Sequence, residues 1–217
     1  GDHLDLHLSI RRQRQMCIRD RSIPGAHPPC GGAPNLSAFN IPENFSSTIS
    51  PWIVTLEALA PYRSAIFKRP EGDPAPLPYL HTKSHEGSGG LDINIEVAVL
   101  TEKMRKNGDQ PQIIGAPNFK DMYWSVFQML AHHSSNGCDL NPGDFYGSGT
   151  VSGTTPDTYG SILEACKGGK ENILFPGDEE RTFLEDGDEV VMRAWCDGHG
   201  KARIGFGECR SVIVPAA

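Results

Sequence analysis

The sequence predicts a β-rich α+β fold, and three observations carry that prediction. Glycine (24) and proline (17) are both abundant among the 217 residues. The apolar runs are short and separated by turn-forming residues, the pattern of a strand-dominated chain. Only one segment, near the middle, repeats its apolar residues at helical spacing over several turns.

Composition narrows the class further. The length suits one sizeable core, and 38% of the residues are hydrophobic. A formal net charge of -7 argues against nucleic acid as a partner of the whole chain. No apolar run approaches the roughly 20 residues that a membrane-spanning helix needs. The six cysteines (Cys17, Cys30, Cys138, Cys166, Cys196 and Cys209) form no C-x-x-C pair and match no zinc spacing. With no secretory apolar core in view, they read as reduced, mostly buried thiols of a cytoplasmic protein.

Residues 1–43 stand apart. Five arginines (Arg11, Arg12, Arg14, Arg19 and Arg21) sit among Asp2, Asp5 and Asp20, without periodicity. The acids argue against a transit peptide. A basic nucleic-acid arm is one alternative; translated adapter sequence, which the run from Ile10 to Asp20 resembles, is the favoured one. Residues 23–43 are rich in Pro, Gly and Ala. The expectation is an unmatched leader over 1–43 and a domain over 44–217.

From Asn44 the pattern changes. Trp52–Thr55 reads as a short strand with Pro51 at its start, where a missing N–H is tolerated. Leu56–Leu59 reads as one helical turn stopped by Pro61. Residues 68–90, rich in proline and ending in GSGG, read as an exposed excursion. Leu91, Ile93, Ile95, Val97 and Val99 alternate with Asp92, Asn94, Glu96 and Ala98, which predicts a strand with one buried face. Asp92, Asn94 and Glu96 then share the other face. A hard cation is one use for such a trio; a solvated face is the favoured reading.

The spacing of Phe119, Met122, Tyr123, Val126, Phe127 and Leu130 predicts one long amphipathic helix over 118–134. Asn118 would cap it with Asp121 at the third position. Gly137 would follow the end in a left-handed conformation. His132 and His133 fall in the last turn, where a protonated imidazole suits the helix dipole. Adjacent histidines face different ways, so capping or packing is favoured over metal binding. Beyond the helix, Asn141–Asp144 reads as a turn and Phe145–Ser152 as extended. Thr182–Leu184, a turn at Asp186–Gly187 and a strand Glu189–Cys196 read as a hairpin. Ala202–Val214 is the last strand.

The chemistry concentrates in residues 141–170, with seven glycines and a carboxylate, Glu164, in an apolar run. Gly147, Ser148, Gly149 and Thr150 can offer backbone N–H groups to an anion. Glu164 is either a solvated residue or a general base or its orienting partner. No Gly-x-Ser-x-Gly elbow, H-E-x-x-H or Walker loop is present.

The ordered set NFSSTISPW (44–52), DINIEVAV (92–99), the run 118–144 through MYW, HHSSNGC and NPGD, GSGTVSG (147–153), YGSILE (159–164), FLEDGDEV (183–190) and RIGFGEC (203–209) resembles the fumarylacetoacetate hydrolase family. The resemblance covers nearly all of 44–217 and points to the C-terminal part of the catalytic domain. It implies a mixed β-sandwich roll, usually homodimeric. It also implies a hydrolase that cleaves the carbon–carbon bond of a small-molecule diketo acid, 4-fumarylacetoacetate, giving fumarate and acetoacetate in tyrosine and phenylalanine catabolism. Glu164 matches the glutamate that holds the family's catalytic histidine, and Thr150 a contact to the substrate carboxylate. Ser47 matches a hydroxyl near a magnesium ion. The resemblance implies Ca2+ and Mg2+ in the intact enzyme. It places the histidine, four carboxylate metal ligands and a substrate arginine upstream of Asn44, where nothing matches, so this chain is expected to be an inactive fragment. Glu43 takes the slot of a family lysine, which reads as a junction. Two alternatives stay open: a sister acylpyruvate hydrolase or decarboxylase, and a non-catalytic remnant of the fold.

Overall fold

The computed structural model describes residues 49–215 apart from 136, 145 and 199. Four strands dominate: β3 (Asn94–Leu100), β4 (Gln112–Gly115), β7 (Glu189–Cys196) and β8 (Ile204–Val212). They form one antiparallel sheet in the order β4-β3-β7-β8. β3 and β7 make the spine, in register from Asn94 opposite Trp195 to Leu100 opposite Glu189. Two further antiparallel pairs flank the sheet: β1 (Arg63–Ser64) with β2 (Gly90–Leu91), and β5 (Ile173–Phe175) with β6 (Glu179–Arg181). The architecture is a mixed α/β arrangement of antiparallel sheets with short helices.

The alternation in β3 does what its sequence requires. Ile93, Ile95, Val97 and Val99 are all buried, because successive side chains of a strand point to opposite faces. Val190, Met192, Ala194 and Cys196 of β7 are buried with them. The shared face carries two cores in succession. One gathers Val97, Val99, Met104, Ile162, Leu184, Val190 and Met192; the other gathers Leu59, Ile93, Ile95, Phe119, Val151, Ala194 and Phe206. The opposite face carries a charged ladder beside a buried apolar pair, Ala98 and Val191. Arg193 donates to Glu96 (2.9 Å) and to Glu208 (2.6 Å), its cross-strand neighbours.

The helices are α1 (Leu56–Leu59), α2 (Lys83–Ser88), α3 (Glu102–Asn107), α4 (Val126–Ser134) and α5 (Ile162–Ala165). The single helix predicted over 118–134 is two pieces. Asn118 caps only a 3-10 turn, Phe119–Asp121, and the chain opens at Met122 into extended backbone. The α-helix starts afresh at Ser125. The Ser125 hydroxyl accepts from the Gln128 N–H, and the Gln128 side chain accepts from the Ser125 N–H. This reciprocal cap offers the backbone a better start than continued helix from Asn118. Apolar spacing continues across the break because Phe119 and Val126 enter the same core. The C-terminal expectation holds: His132 and His133 lie in the last turn and Gly137 has φ +86°.

Two strand predictions fail. Trp52–Thr55 forms no strand; Thr55 instead caps α1, accepting from Ala58 N–H. Trp52 lies over Gly207, where a Cβ would meet the indole at 2.1 Å, and the Ser50 hydroxyl donates to the Phe206 carbonyl at 2.8 Å. Thr182–Leu184 is no strand and Asp186–Gly187 closes no hairpin. The partner of β7 on that side is β3, while β6 pairs back onto β5. The turn at 186–187 serves to bring Asp188 under Arg181 instead. Residues 146–152 also lack a strand ladder.

Candidate functional site

The stretch from Asn141 to Lys170 spans both cores. Its entry is the expected turn: the Asp144 N–H donates to the Asn141 carbonyl at 3.0 Å, and Gly143 takes φ +93°, a conformation cheap only for glycine. Val151 then enters one core and Ile162 the other, both essentially fully buried. The loop between them is fastened to the sheet at β4. The Ala116 N–H donates to the Asp157 carbonyl at 2.7 Å. The Tyr159 carbonyl lies 1.7 Å from where a Cβ on Gly115 would stand, so no larger residue fits without moving the loop.

Glu164 sits on α5, a single helical turn capped by Ser161. Its Oε2 accepts from the Ser152 hydroxyl (2.7 Å), the Ser161 hydroxyl (2.9 Å) and the Gly160 N–H (3.2 Å). No donor among the described residues reaches Oε1. The side chain is half-buried, so Glu164 is a positioned carboxylate rather than a solvated one. Ser161 was legible as the start of an S-x-x-E capping pattern. Ser152, twelve residues away and joined only by tertiary folding, left no local signal.

Thr150 is half-buried, two residues before Ser152. The fold therefore brings the Thr150 segment and Glu164 to one place, through the Ser152–Glu164 bond. Ser47 and Glu43 lie outside the described residues.

Asp92, Asn94 and Glu96 do share a face, but donors take up their oxygens. Asn118 donates to Asp92 (2.7 Å) and to Asn94 (3.1 Å), and Arg193 donates to Glu96 (2.9 Å). Among the described residues no group of three or more His, Cys, Asp or Glu side chains is placed to hold a metal ion. His132 and His133 serve packing: His132 Nδ1 is 2.8 Å from the Tyr79 hydroxyl, and His133 meets the Tyr146 ring edge-on. Cys166, Cys196 and Cys209 are buried thiols and Cys138 an exposed one. Burial, reinforced by Asp92 and Asp197, pushes the Cys196 thiol up to about 11. His85 is shifted the other way, below the ordinary imidazole value, first by desolvation and then by Arg63 and His81.

Sequence reasoning missed a cavity of about 520 Å³ between the 68–90 excursion and α4. Leu77, Leu80, Trp124 and Met129 are among its apolar walls. Several of its polar groups are paired, while Arg69 Nη2 is buried without a hydrogen-bond partner among the described residues. The Tyr123 hydroxyl donates to Asp73 (2.7 Å), Gln128 donates to the Leu80 carbonyl (3.0 Å), and the Arg69 guanidinium lies on the Tyr123 and Trp124 rings.

Comparison with known proteins places this arrangement. Residues 37–214 match the family model described as fumarylacetoacetate (FAA) hydrolase C-terminal. The chain belongs to the fumarylacetoacetate hydrolase family. Over 176 residues it is 46% identical to the fumarylacetoacetase of Dictyostelium discoideum, covering 80% of this chain and 39% of that protein. Over 174 residues it is 44% identical to the fumarylacetoacetase of Rattus norvegicus, again 80% of this chain and 39% of the relative. The Caenorhabditis elegans fumarylacetoacetase is 46% identical over 176 residues. The chain thus spans about two fifths of the length of the curated relatives it matches. As a fumarylacetoacetate hydrolase family member it carries its glycine-rich turn, Thr150 segment and Glu164 inside the matched region.

Proposed function

We propose that this chain is the C-terminal part of the catalytic domain of a fumarylacetoacetase, within a mixed β-sandwich roll. The reaction is hydrolysis of the carbon–carbon bond of 4-fumarylacetoacetate. Water adds to the carbonyl carbon beside the scissile bond. That bond then breaks, its electron pair leaves on the acetoacetate carbon, and that carbon takes up a proton. Fumarate and acetoacetate result.

The observation that carries this reading is Glu164, whose carboxylate is held by Oε2, with no donor among the described residues on Oε1. A carboxylate held this way can orient an imidazole and fix its tautomer, leaving the other ring nitrogen to take a proton from water. The histidine would come from the remainder of the intact protein. Thr150, beside Ser152, would contact a substrate carboxylate, and Ser47 would lie near a magnesium ion. Among the described residues no group of three or more His, Cys, Asp or Glu side chains is placed to hold a metal ion; the Ca2+ and Mg2+ of the intact enzyme would be held mainly by carboxylates from the rest of that protein. Fragment inactivity, a homodimeric intact enzyme and a cytoplasmic location complete the proposal.

The test is a hybrid in which residues 44–215 replace the matching stretch of the Dictyostelium relative. Metal-dependent release of fumarate from 4-fumarylacetoacetate is expected. A folded hybrid that cleaves acylpyruvates but not this substrate would overturn the assignment.

A further inference from the structure

Resting on the reading of Glu164 above, we propose that Ser152 and Ser161 are positioning residues for catalysis. Together with the Gly160 amide they form a one-sided clamp that fixes Glu164 with Oε1 presented to an imidazole N–H.

The proton inventory makes the clamp one-sided. The Ser161 hydroxyl accepts from the Glu164 N–H at 3.3 Å as the cap of α5, so its single proton is available to Oε2, 2.9 Å away. The Ser152 hydroxyl accepts from the Gly160 N–H at 3.1 Å, so its proton likewise goes to Oε2, at 2.7 Å. The Gly160 N–H is shared between Ser152 and Oε2. Oε2 therefore receives donors from two separate segments, and each hydroxyl spends its single proton there while accepting one backbone N–H. No described donor remains for Oε1.

Two anchors keep the segments in place. Val151 adjoins Ser152 and Ile162 adjoins Ser161, and both are buried in the cores on either side. Rotation of the Glu164 carboxylate would break three hydrogen bonds at once. A group supported in this way meets its partner without first losing rotamer freedom. Hydrogen-bond partners that orient metal-ligating side chains are worth about 10–100-fold in activity, and the same scale is taken for a carboxylate that orients a histidine.

The hybrid enzyme tests the clamp through kcat and KM. Ser152→Ala and Ser161→Ala should each lower kcat by about 10-fold or more. KM should change less than about 2-fold, because both serine hydroxyls are spent on Glu164 rather than on substrate. Ser152→Thr, which keeps the hydroxyl, should restore most of kcat. An active hybrid whose serine variants keep full kcat would overturn the clamp while leaving the functional reading intact. An inactive but folded hybrid would overturn the functional reading itself.

A second measurement, amide NMR of the 217-residue chain with free imidazole as the probe, stands if the hybrid does not fold. Imidazole should shift the Gly160 and Ser161 amides. The Ser152→Ala/Ser161→Ala double variant should bind it several-fold more weakly, and Glu164→Gln should bind it weakest. Equal shifts in all three proteins, or none in the parent chain, would overturn the proposal.

Discussion

Asp188→Asn should destabilise the protein by about 3 kcal/mol, through one buried ion pair. Asp188 is 0% exposed and the Arg181 side chain 9% exposed. The carboxylate accepts from Arg181 Nε (3.0 Å), from Arg181 Nη2 (3.2 Å) and from the Glu185 N–H (2.8 Å). An asparagine fills the same space but turns an N–H2 toward a guanidinium or an amide, donor against donor. Losing one partner of a buried pair costs about 3–5 kcal/mol. The low end applies, because Glu179 Oε1 stays 3.2 Å from Arg181 Nη2. Glu185, 64% exposed, replaces little. The assay is urea unfolding of the 217-residue chain followed by circular dichroism. With a slope of about 2 kcal/mol per molar, the midpoint should fall by about 1.5 M. The double variant Arg181→Met/Asp188→Leu removes both charges and should recover most of the loss. A single variant within about 1 kcal/mol of the parent, or a double variant worse than the single, would refute the reasoning.

Other consequences follow from single contacts. Gly115→Ala forces a Cβ into the Tyr159 carbonyl; unfolding should show a loss of about 1–3 kcal/mol, the usual cost of overpacking. His85 Nε2 lies 2.8 Å from the Ser125 hydroxyl that caps α4. Because the folded protein holds His85 below its ordinary value of 6.5, the unfolded chain takes up the proton first as pH falls through that value. Stability should therefore be fully present above this range and decline below it. A His85→Gln variant measured by urea unfolding between pH 7.5 and 5 should show a shallower decline. Cys196, buried with its thiol pushed up to about 11, should resist aromatic disulfide reagents at pH 8 until the protein unfolds, while exposed Cys138 reacts in the native state. Peptide mapping after labelling separates the two.

The fold was legible where side-chain period and environment agreed. The alternation from Leu91 to Val99 and the run Glu189–Cys196 gave β3 and β7, because one face is buried throughout and imposes a period of two, although Ala98, Leu100 and Val191 bury part of the other face as well. The helix at 118–134 was misread because apolar spacing reports which residues reach a core, not whether the backbone between them is continuous. Phe119 and Val126 enter the same core from two separate segments. Asp186–Gly187 misled in the same way: the turn exists, but strand pairing is set by the long-range match of β7 with β3. At the site, the glycine-rich stretch and Glu164 stood out from composition. The partners of Glu164 did not, since Ser152 and the sheet contact at Gly115 depend on a tertiary approach that no local pattern encodes.

The central claim is that Glu164 is the carboxylate that orients the water-activating histidine. Its most direct test is the pH–rate profile of the active hybrid with Glu164→Gln. The substitution should lower kcat by about 100-fold or more, the usual worth of a positioned acid–base partner, move the acidic limb that reports protonation of the histidine, and leave KM within about 2-fold of the parent. Turnover at the parental rate with an unmoved profile would contradict the account.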